Sequence, residues 1–306
     1  MTDSIASPPP AGPGLALRIW RFPLVALVVS LLAFVLAFGG LGLAVNALPI
    51  DWPEDVAIAF NGIVAALLSA TIYKLVVARL GESPHDDLPL RGFARELGAG
   101  VVGASILMTV IVGIVALLGG YQLKGMGGAT SWPMILFLAG FQAAVMEEIL
   151  FRGILFRFLE EFGGSWFALA LTSGLFGFAH IANENATPFS SLAIALEAGV
   201  MLGGAYMLTR SLWLPIGIHF GWNVTQGLVW DVPVSGNAVD GVVDAAPAGS
   251  DLVSGGAFGV EASVVALVLA TAVGLWLVVR AIRAGHLVRP WWVRRRLARE
   301  AAAVAA

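Results

Sequence analysis

Met146-Glu147-Glu148-Ile149-Leu150-Phe151-Arg152 is the stretch whose reading decides the fold. It lies inside the apolar run 132–159, long enough to cross a bilayer. Each ionised side chain there costs about 2.5–3.5 kcal/mol on insertion scales. Glu148 and Arg152, four residues apart, share one face of a helix and can neutralise each other. Glu147 is turned about 100° away and has no partner on its own helix. A carboxylate held at that cost needs a counterpart from another span. His180 and His219, both in apolar runs, are the candidates.

Around this stretch the chain is built for lipid. Of its 306 residues, 58% are hydrophobic and only 12% charged, against about 25% charged in soluble domains. Eight apolar runs are present: 22–48, 56–77, 97–120, 132–159, 166–181, 189–209, 213–230 and 262–282. They predict an all-α polytopic membrane protein, a bundle of about eight transmembrane helices. The lack of cysteine excludes disulfides, thiolate metal sites and a cysteine nucleophile. No internal repeat is visible, which argues against an inverted-repeat transporter.

Charge sets the orientation. Arg18, Arg21, Arg79, Arg91, Arg95, Arg157, Arg210 and the tail arginines fall on one side, and the acidic connections on the other. The positive-inside rule then puts both termini in the cytoplasm. Three regions follow: a proline-rich disordered tail 1–17, the helical domain 18–285 with its core motifs in 132–230, and a basic tail 286–306. The tail interleaves Trp291 and Trp292 with arginines, as a segment lying on anionic lipid would; nucleic acid is not the expected partner. The connection 232–260, rich in glycine, alanine, aspartate and valine, is expected to be mobile. Gly199 with Gly203 and Gly217 with Gly221 are spaced to let helices approach closely.

The polar residues at lipid depth carry the chemistry. They are Glu147, Glu148 and Arg152, then His180, then His219 with Asn223, and the isolated Glu197. Each burial must be offset by another polar group, so the spans bearing them are expected to surround one polar cavity. A carboxylate and a histidine facing one water form a general-base pair. His219 and Asn223, one helical turn apart, offer N–H donors to one point, as an oxyanion requires. No serine or threonine in this set has a base beside it, so a covalent serine mechanism is disfavoured. Straight vertical helices would not bring the three motifs level; tilts, or a seventh span starting inside a cavity, would. The cavity is expected to open toward the cytoplasmic half.

The three motifs in order are Glu147-Glu148-Ile149-Leu150-Phe151-Arg152, Phe176-Gly177-Phe178-Ala179-His180 and His219-Phe220-Gly221-Trp222-Asn223. In this they resemble the CAAX-protease and bacteriocin-processing (CPBP, Abi) family of intramembrane proteases, which includes the type II CAAX prenyl endopeptidases. The resemblance implies that Glu147 and His180 activate a hydrolytic water, His219 and Asn223 hold the oxyanion, and Glu148 and Arg152 support the site. It favours a metal-free glutamate mechanism; were zinc bound, Glu147, His180 and His219 would be its ligands. Asn183 and Glu197 are further candidates around the site. The expected function is cleavage of a membrane-associated peptide or protein, with the lipid bilayer and the substrate as partners. The expected setting is a bacterial inner (cytoplasmic) membrane, from the alanine- and valine-rich composition. The competing readings are a non-catalytic membrane partner or bacteriocin-immunity protein and a proton-coupled transporter.

Overall fold

Each apolar run folds as a helix, because backbone in lipid has no water to bond and must satisfy itself. The computed structural model describes residues 14–46 and 52–305. It is 74% helical, and the protein is an all-α polytopic membrane protein. Residues 1–13, most of the expected tail, lie outside the described residues, and residues 15–17 belong to helix α1 (Leu15–Trp20). The order continues with α2 (Pro23–Asn46), α3 (Glu54–Leu75), α4 (Phe93–Leu117), strand β1 (Tyr121–Met126) and α5 (Met134–Gly163). Then come α6 (Ser165–Ala179), α7 (Pro188–Thr209), α8 (Trp213–Val224), β2 (Val243–Pro247), α9 (Val264–Arg283) and α10 (Trp291–Ala305).

Among the described residues seven helices, α2 to α7 and α9, are long and apolar enough to cross a membrane, α6 with its continuation to Ala182. The run expected as the seventh span folds as α8, prolonged by the wide turns Thr225–Val229. It runs from the connection between α3 and α4 to Trp230, whose carbonyl accepts from Tyr121 Oη of β1 (2.9 Å) at the other end of the bundle, and it packs against α4, α5 and α7. The connection between α3 and α4 folds beneath its start: the Asp87 carbonyl accepts Leu212 N–H (2.8 Å) and the Pro89 carbonyl accepts the Trp213 indole N–H (2.8 Å). Asp87 and Leu88 are accordingly buried. On α8, seated on that connection, His219 lines the same cavity as Glu147.

The glycine spacing in α8 is used. A Cβ at Gly217 would lie 2.3 Å from the Leu97 carbonyl oxygen, and one at Gly221 2.5 Å from that of Val101, so only glycine lets α8 press this closely on α4.

The connection 232–260 is not the mobile segment its composition predicts. Strand β2 pairs antiparallel with β1, from Tyr121 opposite Pro247 to Met126 opposite Val243, with an irregularity between Leu123 and Gly125. Its aspartates tie the backbone together: Asp231 accepts from Gly241 N–H and Ala245 N–H, and Asp240 from the N–H groups of Gly128 and Thr130. The Thr130 hydroxyl and those two N–H groups hold the Asp240 carboxyl below its usual range. Val232, Val234, Phe258 and Val260 are buried beneath. At the opposite end α10 is docked, with Trp291 edge-on to Phe22 and Trp292 edge-on to Phe162.

Candidate active site

Three helices supply the site. Helix α5 brings Glu147, Glu148 and Arg152, the end of α6 brings His180, and α8 brings His219 and Asn223. Wide, π-type turns at Met134–Gln142 and Ile149–Phe156 flank the regular turn Ala143–Glu148. Such turns recur at functional sites because they re-aim side chains along a helix.

Glu148 Oε1 accepts from Arg152 Nη1 (2.9 Å), as the four-residue spacing predicts, and also from His219 Nδ1 (2.9 Å). All three side chains are buried. Arg152 extends the connection to α7 by donating to the carbonyls of Ala198 and Gly199 (both 3.4 Å), and lies over the Phe176 ring at 4.6 Å. With Nδ1 spent on Glu148, the nitrogen of His219 left for the cavity is Nε2. His180 is set the same way: its Nδ1–H donates to the Phe176 carbonyl (2.7 Å), one turn back, and leaves Nε2 free. Asn223 gives one amide hydrogen to the Ala139 carbonyl (2.7 Å) and keeps the other.

Glu147, His180, His219 and Asn223 line one cavity of about 280 Å³. The buried Oε2 of Glu147 has no hydrogen-bond partner among the described residues. Asn183 lines the same cavity and donates to the Ser235 carbonyl (3.1 Å). Met134, Val234 and Val239 form part of its wall, all at the end of the bundle opposite the arginine-bearing connections. The cavity thus lies away from the arginine-rich end toward which it is expected to open. That end is plugged by the connection beneath α8, where buried Arg157 donates to Tyr73 Oη and to the carbonyls of Leu80 and His85.

Glu197 does not reach this cavity. It lines a second, smaller chamber of about 30 Å³ together with Glu261, behind His180, His219 and Asn223, which border both spaces. Sequence reasoning misses Glu261; its one signal is a carboxylate three residues before the apolar helix α9. It accepts from Ser235 N–H and from the Trp222 indole N–H (3.4 Å). Burial pushes the Glu261 carboxyl up, while the Ser235 hydrogen bond and the nearby His180 oppose the shift. Among the described residues no three histidine, aspartate or glutamate side chains form a group that could hold a metal ion, and this includes Glu147, His180 and His219.

Residues 129–225 match the family model described as type II CAAX prenyl endopeptidase Rce1-like. The matched segment contains every residue of the three motifs. A curated relative from Bacillus subtilis (strain 168), "Putative membrane peptidase YdiL", is 28% identical over 91 residues. The match covers 30% of this chain and 35% of that relative, about a third of the relative's length. No solved structure matches the chain.

Proposed function

We propose that the protein is an intramembrane endopeptidase that hydrolyses a peptide bond of a membrane-associated peptide or protein, in a bacterial cytoplasmic membrane with both termini inside. The observation that carries this reading is the single cavity lined by Glu147, His180, His219 and Asn223, drawn from three apolar helices. The family match to the same segment supports it.

In this mechanism a water in the cavity lies between Glu147 and Nε2 of His180. Its oxygen attacks the scissile carbonyl carbon as one proton passes to the Glu147 carboxylate. The carbonyl oxygen takes up the negative charge and turns toward His219 and Asn223. Asn223 donates its free amide hydrogen there, and His219 donates from Nε2 as an imidazolium balanced by Glu148. The C–N bond then breaks, its electron pair goes to nitrogen, and nitrogen receives the proton held by Glu147. With the termini cytoplasmic, the substrate enters from the opposite compartment, where Met134, Val234 and Val239 form an apolar rim.

The test is cleavage of a quenched peptide library by the detergent-purified protein. Glu147→Gln is expected to lose about 10²–10⁴-fold in turnover, and Asn223→Ala about 10²–10³-fold in kcat. Activity that persists in chelator supports the glutamate mechanism, whereas loss restored by zinc replaces it with a metal-dependent one. Equal turnover by wild type and Glu147→Gln would sink the assignment of Glu147.

A further inference from the structure

The inner chamber holds polar groups that the proposed chemistry does not use. Glu197 is 1% exposed, and its Oε2 has no hydrogen-bond partner among the described residues. It sits in the wide turn Ala195–Gly199 of α7, just before the carbonyls of Ala198 and Gly199 that Arg152 engages. Glu261, 3% exposed, faces the same space from the turn that precedes α9. A buried carboxyl without a partner costs free energy on the order of 1–3 kcal/mol or more, so a partner is to be sought in the space that it lines.

The size of that space selects the partner. About 30 Å³ exceeds the roughly 10–15 Å³ that one water needs and, on the same measure, is about a ninth of the outer cavity's 280 Å³. A buried water also needs two to four polar neighbours. Glu197 and Glu261 supply two carboxyls from separate elements, and His180 and Asn223 complete the lining toward the outer cavity. Two of these, His180 and Asn223, also border the outer cavity that contains Glu147.

We propose that the chamber is a water site, in which a water held between Glu197 and Glu261 is passed between His180 and Asn223 to the Glu147 side, where it becomes the nucleophile. Glu197 is thus a positioning residue: it touches neither substrate nor scissile bond, but keeps water available at a site surrounded by apolar helices. The proposal rests on the endopeptidase reading for the fate of the water and on the chamber alone for its presence.

The presence is tested without any activity. Radiolysis generates hydroxyl radicals from bound water in place. Met201 and Trp222 line the chamber and are only 3% and 7% exposed, so their oxidation reports chamber water and not bulk solvent. In the full-length protein in detergent, Met201 is expected to oxidise readily in wild type and in Glu197→Gln, and several-fold more slowly in Glu197→Leu. Unlabelled Met201 in the wild type, or equal labelling in Glu197→Leu, overturns the proposal. On the peptide substrate, Glu197→Leu is expected to lower kcat about tenfold with KM unchanged, and Glu197→Gln to restore it. Loss of kcat in both variants alike would mean that Glu197 acts by its charge and not by holding water. If the wild type cleaves nothing, the endopeptidase reading fails, and the labelling still decides whether the chamber holds water.

Discussion

Glu148 bonds a residue four positions along its own helix and another 71 positions away, through the same oxygen. The first bond is legible in the sequence, because helical spacing alone brings Glu148 and Arg152 together. The second is not, since no local rule links α5 to α8. The residue is therefore more than a neutralising partner: it fixes the ring of His219. Removing one member of a buried ion pair leaves an uncompensated charge, so Glu148→Gln is expected to destabilise the protein by about 3–5 kcal/mol. Replacing both partners, Glu148→Leu with Arg152→Met, is expected to recover most of that stability. Turnover should remain low, because His219 stays unheld. Unfolding in detergent, measured beside peptide cleavage, separates the two effects; full activity in the double variant would remove Glu148 from the site.

Helix α8 shows what close helix approach contributes. By hydropathy its run of 18 residues reads as a span like the others, and it runs through the bundle from a start capped by the connection carrying Asp87 and Pro89. Its glycines are the condition for this. Gly217 meets the backbone of Leu97 and also Gly100, and backbone atoms cannot move aside as a flexible side chain can. Gly217→Ala is expected to cost about 1–3 kcal/mol, from overpacking against α4. A Cβ added at Gly39 in α2 would meet nothing within 4 Å, so Gly39→Ala should leave stability unchanged or raise it by up to about 1 kcal/mol. Thermal unfolding of the two variants side by side checks this. Equal melting points would mean that α8 is free to move away from α4.

At the scale of the whole molecule the two ends of the bundle do different work. One end holds the cavity; the other is closed by a polar cluster around buried Asp87. Its Oδ2 accepts from Tyr73 Oη (2.6 Å) and Tyr206 Oη (3.1 Å), and its Oδ1 lies 3.0 Å from His85 Nε2, within ion-pair distance. Helices α3 and α7 are thereby fastened to the connection that supports α8. His85 also turns Nδ1 to the Ser83 carbonyl (2.6 Å), so both ring nitrogens face acceptors, which suits the doubly protonated ring. The hydrogen bond to Asp87 raises the His85 pKa above its ordinary 6.5, against the opposing effect of burial. The sign follows: the contribution is fully present below about pH 6.5 and fades as pH rises through the higher folded-state value. Wild-type melting temperature should therefore fall between about pH 6 and 8 more steeply than that of His85→Gln. Parallel curves would show that His85 does not report on this closure.

The amino-acid sequence by itself determined the all-α membrane class, the positions of nearly all the helices, and four of the polar residues that line the cavity. It could do so because lipid imposes one rule on every span, and because an ionisable group at that depth is costly enough to stand out. Tertiary structure alone decided from which end the cavity is lined, that α8 starts on the connection between α3 and α4, that β1 and β2 pair, and that Glu197 faces Glu261 in a separate chamber. Each of these depends on contacts between residues distant in the chain. Their energies come from side-chain shape and backbone hydrogen bonds, which neither hydropathy nor helical periodicity encodes. Asp240 shows the limit plainly: in a stretch of small residues it reads as loop, and only the folded chain brings it to the backbone groups that it holds.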